Sequence, residues 1–308
     1  MTGPHTLPPP ETLEVASGVF AYVQPDGSWW INNTGFVVGG DGVCAIDATS
    51  TEKRMRAFRD AIVGITSLPV RTLINTHHHG DHTNGNCLLD DALIVGHTNC
   101  RANMADQRIG GLDVVFGEVE WGDLTVVPPN LVFEDRLTLY AGNRRLELLY
   151  AGSPAHTTGD VVIWLPDEGV LFAGDLVFNG GTPFVLMGSV AGSLEALARL
   201  RALGATTVVP GHGGVCGPEI FDVVERYLRW LQQLATSAHS AGLSPLDAAR
   251  QTDLGEWAEL LDRERIVGNL HRAYQELDGG PWGGPISVAG AFADMITYNG
   301  GRPLHCLA

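Results

Sequence analysis

THHHGDH, running from Thr76 to His82, is the stretch on which the fold turns. It sets His77, His79, Asp81 and His82 close together in the chain. Alternate side chains of an extended segment share a side, so His77 and His79 reach one cation together. The bend at Gly80 then turns Asp81 and His82 towards a second. His78 faces the other way and stays outside the ligand set; its expected role is packing or a hydrogen bond behind the ligands.

Strands and helices alternate outward from this loop. Short β-type runs at Val19 to Gln24, Trp29 to Ile31, Gly35 to Val38 and Val43 to Ile46 are separated by PDG and GGDG turn signals. Met55, Phe58, Ile62 and Ile65 recur at helical spacing, with Thr49 or Ser50 as the expected cap. A strand at Val70 to Ile74 leads into THHHGDH. A strand at Ala92 to Val95, a helix at Thr98 to Gln107 and a run of strands from Asn130 to Leu165 follow. Three more donors sit where strands should end: His156 after Leu146 to Tyr150, Asp175 after Val170 to Ala173, and His212 after Val208 and Val209. Taken singly, each is more often a packed or turn residue than a ligand. Together with THHHGDH they point to two metal ions, because imidazole and carboxylate donors suit zinc, and also iron or manganese.

The chain has 308 residues, 44% of them hydrophobic and 18% charged, enough for a substantial core. Its net charge of -16 opposes nucleic acid and anionic membrane surfaces. Cys44, Cys87, Cys100, Cys216 and Cys306 form no CxxC pair, which predicts reduced thiols in a cytoplasmic protein. No apolar run approaches the roughly 20 residues of a membrane span. Residues 1–14 form a proline-rich lead-in without secretory character. Residues 15–308 are expected to make one domain, with 217–308 a mostly helical extension packed on the same sheets.

HxHxDH, a distant histidine, a GD aspartate and a GH histidine resemble the metallo-β-lactamase superfamily from Val15 to Gly213. The resemblance implies an α/β fold, an αββα sandwich holding two Zn2+ at one edge of its sheets. It places His77, His79 and His156 on one ion, Asp81, His82 and His212 on the other, and Asp175 between them. An aspartate in that bridging place resembles the glyoxalase II-like branch, which hydrolyses thioesters, rather than the β-lactamases. Asp47, closing the strand VCAID, is similar to a residue that orients a ligand imidazole, or else caps the next helix.

TPF (Thr182 to Phe184), GSVAGSLEAL (Gly188 to Leu197), GHGGVCGPE (Gly211 to Glu219), YLRWLQ (Tyr227 to Gln232), NLHRAYQEL (Asn269 to Leu277) and the terminal YNGGRPLHCLA extend a resemblance beyond the metal motifs. They resemble the second-ring cyclases of bacterial aromatic polyketide pathways, such as that of actinorhodin. This implies a dizinc polyketide cyclase, part of antibiotic biosynthesis. Such an enzyme closes a ring by aldol condensation on an acyl-carrier-protein-bound intermediate and releases the acid by thioester hydrolysis, with Asp81 as proton shuttle. The alternatives are a general thioester or lactone hydrolase and a non-catalytic binding protein with a vestigial site. Trp30, Phe184 and Met187 are candidates for the substrate cleft, although packing is the ordinary role of each. Arg226 with Arg229, or Arg101 with Arg108, would supply the basic patch that an acidic carrier protein needs.

Overall fold

The computed structural model describes residues 7–89 and 91–308. Seven strands form the first sheet: β1 (Glu11–Ala16), β2 (Val19–Val23), β3 (Thr34–Val38), β4 (Val43–Ile46), β5 (Val70–Ile74), β6 (Leu93–His97) and β7 (Leu131–Phe133), in that spatial order. Neighbours are antiparallel from β1 to β4 and parallel from β4 to β7. The second sheet holds β8 (Arg136–Ala141), β9 (Arg144–Tyr150), β10 (Val161–Leu165), β11 (Val170–Phe178) and β12 (Thr207–His212), with β12 at one edge, parallel to β11.

Strand alternation separates the faces. Val19 and Ala21 of β2 pack with Leu146, Leu148 and Ile163 between the sheets, while Phe20 and Tyr22 turn outward to Phe58 and Ile62 of α1 (Glu52–Ile65). Full burial of a Val, Leu, Ile or Phe side chain among these contributes about 1.5–3 kcal/mol. The cap of α1 is Thr51, whose side chain accepts from the Arg54 amide; Thr49 and Ser50 are buried two and one residues too early for that role.

One-turn helix α2 (Gly80–Thr83) follows β5 directly, α3 (Thr98–Met104) follows β6, and α4 (Asp113–Phe116) lies in the long connection to β7. Helix α5 (Val190–Ala202) joins β11 to β12. After β12 come α6 (Ile220–Ser240), α7 (Pro245–Gln251), α8 (Arg265–Leu277) and α9 (Val288–Tyr298). Leu228, Leu231, Ile266, Leu270 and Met295 from these helices share one core with Leu171, Ala173 and Val208 on the outer face of the second sheet. The layers are therefore helix, sheet, sheet, helix, the metallo-β-lactamase arrangement expected from the motifs.

Three local expectations are corrected. Glu11 to Glu14, read as lead-in, belong to β1: this edge strand is held by its pairing with β2, so its side chains show no apolar alternation. Residues 1–6 of that lead-in lie outside the described residues. Trp29 to Ile31, read as a strand, is a tight turn in which the Ile31 amide donates to Ser28 O at 3.0 Å and Trp30 adopts φ 66°. Asp175 does not follow its strand but lies inside β11, at a register irregularity beside Gly174.

Candidate metal centre

Every donor picked from the sequence comes to one edge of the two sheets, and each is placed by a local feature. At the end of β4, Asp47 takes φ 60°, a conformation that non-glycine residues hold mainly where surroundings enforce it. Its carboxylate accepts from the Thr76 amide at 2.7 Å and the Thr76 hydroxyl at 2.7 Å, which pins the start of the THHHGDH loop. Helix α2 then begins at Gly80, with His79 as its cap residue. A Cβ on Gly80 would meet Asn84 Oδ1 and Trp30 Cζ3, each at 2.8 Å, so only glycine allows the loop to close this tightly.

Asp175 reaches the site because Gly174, at φ 52°, breaks the register of β11 with β12. Opposite it, a Cβ on Gly211 would stand 1.9 Å from Asp175 Oδ1; the glycine of PGHG leaves room for the carboxylate. His212 ends β12. His156 sits in a loop braced by Asp160, which accepts from the Thr157 amide at 2.9 Å and the Thr157 hydroxyl at 2.6 Å.

Hydrogen bonds at the rear of the rings fix which nitrogen faces the site. A carbonyl oxygen only accepts, so Nδ1–H of His156 donates to Phe184 O at 2.5 Å and Nδ1–H of His212 donates to Gly27 O at 3.0 Å. The Thr76 hydroxyl spends its proton on Asp47, so at 3.0 Å it accepts from His77 Nδ1–H. His82 Nδ1 meets Asp47 Oδ2 at 2.8 Å. All four rings therefore turn Nε2 inward. Such rear partners set ring orientation and raise ligand basicity. His79 differs, turning Nδ1 to within 2.8 Å of His156 Nε2.

The inward atoms form two overlapping groups, His77, His79, His156 and Asp175, and Asp81, His82, Asp175 and His212, with the donor atoms of each within 4.8 Å of one another. Asp175 belongs to both. Its Oδ2 lies 3.3 Å from His156 Nε2, 3.4 Å from His212 Nε2 and 3.9 Å from His77 Nε2, and its Oδ1 is 3.1 Å from His82 Nε2. Asp81 Oδ2 stands 3.3 Å from His212 Nε2. His77 Nε2, His82 Nε2 and Asp175 Oδ1 are buried without a hydrogen-bond partner. Buried polar atoms are rarely left so, and converging imidazole and carboxylate lone pairs fit a pair of cations such as zinc.

Electrostatics agree. Burial and the neighbouring imidazoles push His77 and His79 well below the usual histidine range, keeping them neutral as ligands must be. Burial also works against charge on His82, yet Asp175, Asp47 and Asp81 raise it well above that range, and His212 is raised to about 9 by Asp175 and Asp81 despite its burial. The carboxylate pole thus calls for positive charge. His78 belongs to neither group: it is buried, its titration is pushed down to about 4 by burial, and its carbonyl accepts from Gln107 Nε2 at 2.6 Å.

A cavity of about 260 Å3 opens onto His79, Asp81, His156, Asp175 and His212. Trp30, Phe184 and Met187 line it, as do Trp29, Phe116, Arg265 and Phe292, which the sequence reading passed over. The spacing of Val288, Phe292, Met295 and Ile296 in α9 was the available signal. Arg226 pairs with Glu256 at 3.2 Å and Arg229 with Glu225 at 2.7 Å, so that pair does not stand as a free basic patch. Arg101 donates to Pro129 O, and Arg108 lies exposed at the cavity rim. All five cysteines are unpaired, and no helix among the described residues is long and apolar enough to cross a membrane.

Among known proteins, the chain is 37% identical over 137 residues to a hydroxyacylglutathione hydrolase of Methylococcus capsulatus, covering 44% of this chain and 45% of that protein. It is 33% identical over 143 residues to one of Thermosynechococcus vestitus, covering 46% and 48%. The chain thus spans about half the length of these curated relatives. A metallo-beta-lactamase from Pontibacter korlensis superposes with a TM-score of 0.60 at 20% identity, covering 72% of this chain and 99% of that one, which shows the shared fold.

The relatives overturn the expectation of a polyketide cyclase, since they carry the name of a thioester hydrolase instead. The segments behind that expectation have a structural role. Asn269 holds the amide of Val185 at 2.9 Å and Pro183 O at 2.8 Å, Arg272 donates to Leu186 O at 2.8 Å, and Glu276 accepts from the Val190 amide at 2.7 Å. NLHRAYQEL is thus a clamp on the loop after β11, and such a clamp specifies no reaction. Residues 27–212 match the profile of the Metallo-beta-lactamase superfamily, and the chain belongs to that superfamily.

Proposed function

We propose that the protein is a two-metal hydrolase of thioesters, of the glyoxalase II-like kind. The observation that carries this reading is Asp175, one carboxylate shared by two donor groups that open onto one cavity. His77, His79 and His156 would hold one cation, Asp81, His82 and His212 the other, with Asp175 common to both. When bound, the two cations supply Lewis acidity and bring the pKa of water to about 7.

In the reaction, water oxygen bonds to the acyl carbon, the C–S bond breaks, and the thiol leaves with a proton. Asp81 lies on the cavity wall and is held below the usual carboxylate range by His82 and His212, against the effect of burial. It therefore accepts a hydrogen bond from water and orients it. The apolar walls exclude bulk water and strengthen these interactions.

The test is thiol release from small thioesters by the full chain, metal-stripped and then reloaded with zinc. Hydrolysis that disappears on stripping and returns on reloading is the expected result. Equal hydrolysis in the stripped protein would overturn the proposal, as would cleavage of lactones with no thioester cleaved.

A further inference from the structure

We propose that the last helix turns the metal-facing cavity into a pocket for a ring-bearing apolar acyl group, with Phe292 as its specificity-determining residue. This rests on the thioester-hydrolase reading and names its substrate class.

The cavity wall is aromatic on several sides. Trp29 stands edge-on to Phe184 at a centroid distance of 5.1 Å and to Phe116 at 5.3 Å; Trp30 meets Phe116 at 5.6 Å and 89°. Phe292 of α9 packs into the same cluster, 5.9 Å from Phe116, 6.0 Å from Trp29 and 6.3 Å from Phe184, so the rings form one continuous wall. A flat ring laid against this wall extends the same edge-to-face pattern, whereas a linear chain gains only burial. At about 260 Å3 the cavity lies just under the roughly 300–1,000 Å3 of sites for drug-sized ligands, which suits one acyl group rather than a whole peptide thiol.

Most of the polar groups beneath and beside this wall are already engaged. Arg265 is buried, its guanidinium 4.1 Å from the Trp29 ring centre, donating to Thr182 O at 3.0 Å and paired with Asp262 at 2.8 Å. It holds Trp29 in place from below. Asn84 donates to Ser50 O at 3.1 Å and Gln107 to His78 O at 2.6 Å. Apart from the metal-facing donors, Trp30 Nε1 and Arg265 Nε are the buried atoms of the described lining left without a partner, both of them donors; a hydroxyl on the acyl group thus finds few partners on an otherwise apolar wall, and an unpaired buried hydroxyl is disfavoured. The polar thiol half is left at the rim, where Arg108 is exposed.

Phe292, Val288 and Arg265 all lie beyond residue 212, where the superfamily match ends. Trp29, Trp30, Phe116 and Phe184 lie within the matched span, so α9 adds its part of the wall from outside it.

The test compares kcat/KM of the zinc-loaded full chain on lactoyl, hexanoyl and phenylacetyl thioesters of one thiol, for the wild type, Phe292→Ala and Phe292→Leu. Quenching of tryptophan fluorescence by phenylacetate is measured in parallel. The expected result is a preference for phenylacetyl over lactoyl of about a hundredfold, falling at least about tenfold in Phe292→Ala, with Phe292→Leu between them. The Kd for phenylacetate should rise in the same order. A lactoyl preference, or a ratio untouched by both variants in folded, metal-loaded protein, would overturn the proposal. If no thioester is cleaved but phenylacetate binds with this Phe292 dependence, the thioester reading fails and the pocket stands. If phenylacetate neither binds nor is released from its thioester, the pocket falls as well.

Discussion

Replacing Asp175 by asparagine is expected to lower thioester turnover at least about a thousandfold while the chain still folds. The substitution keeps the volume of a side chain buried inside β11, so the strand and its bulge have no steric reason to move. It changes the charge at the one point common to both donor groups. An amide in that place turns either its carbonyl or its NH2 towards His156 and His212, whose Nε2 atoms lie 3.3 and 3.4 Å from Oδ2, and loses the negative charge that offsets two cations. A cation contributes several kcal/mol to such a reaction, and at 1.36 kcal/mol per decade that is the expected loss. Turnover and metal content of the variant, with circular dichroism as the check on folding, decide the point. Near-normal turnover with both metals retained would remove Asp175 from its proposed role.

Asp47 gives the second large effect by a different route. Asp47→Ala should weaken the Asp81, His82 and His212 site for its cation by about 10–100-fold, the usual cost of losing a partner behind a metal ligand. It should also destabilise the fold by about 3–5 kcal/mol, because a buried pair is broken. Burial pushes the Asp47 carboxyl up while His82 lowers it, and Oδ2 meets His82 Nδ1 in a hydrogen bond of 2.8 Å. Removing the carboxylate also strands the Thr76 amide and hydroxyl. Asp47→Asn should recover much of the stability by still accepting from Thr76, but less of the metal affinity. Zinc titration with thermal unfolding of both variants separates the two roles; equal zinc affinity in wild type and alanine variant would leave Asp47 as a purely structural brace.

Much of the metal edge was legible because its determinants are local. THHHGDH carries its own bend at Gly80, and the glycines beside Asp175 and His212 are the ones their close approach requires. The bulge that carries Asp175 into the middle of β11 was not legible, since it depends on register with β12. Trp29 and Trp30 read as a strand by composition, yet their rings are set by Phe116, Phe184 and Arg265 from distant parts of the chain. The same holds for Phe292: α9 shows an apolar spacing, but nothing local says that it lies over a cavity. NLHRAYQEL misled as a resemblance, because its buried Asn269 and Arg272 serve to hold backbone carbonyls of the loop after β11 and carry no information about the reaction.

The most direct test of the two-metal centre is a zinc titration of the metal-stripped full chain, read by calorimetry and elemental analysis. Two equivalents per chain in the wild type, with fewer than two retained by Asp175→Asn, is the predicted result. A single equivalent in the wild type, or two bound equally well without the Asp175 carboxylate, would contradict it.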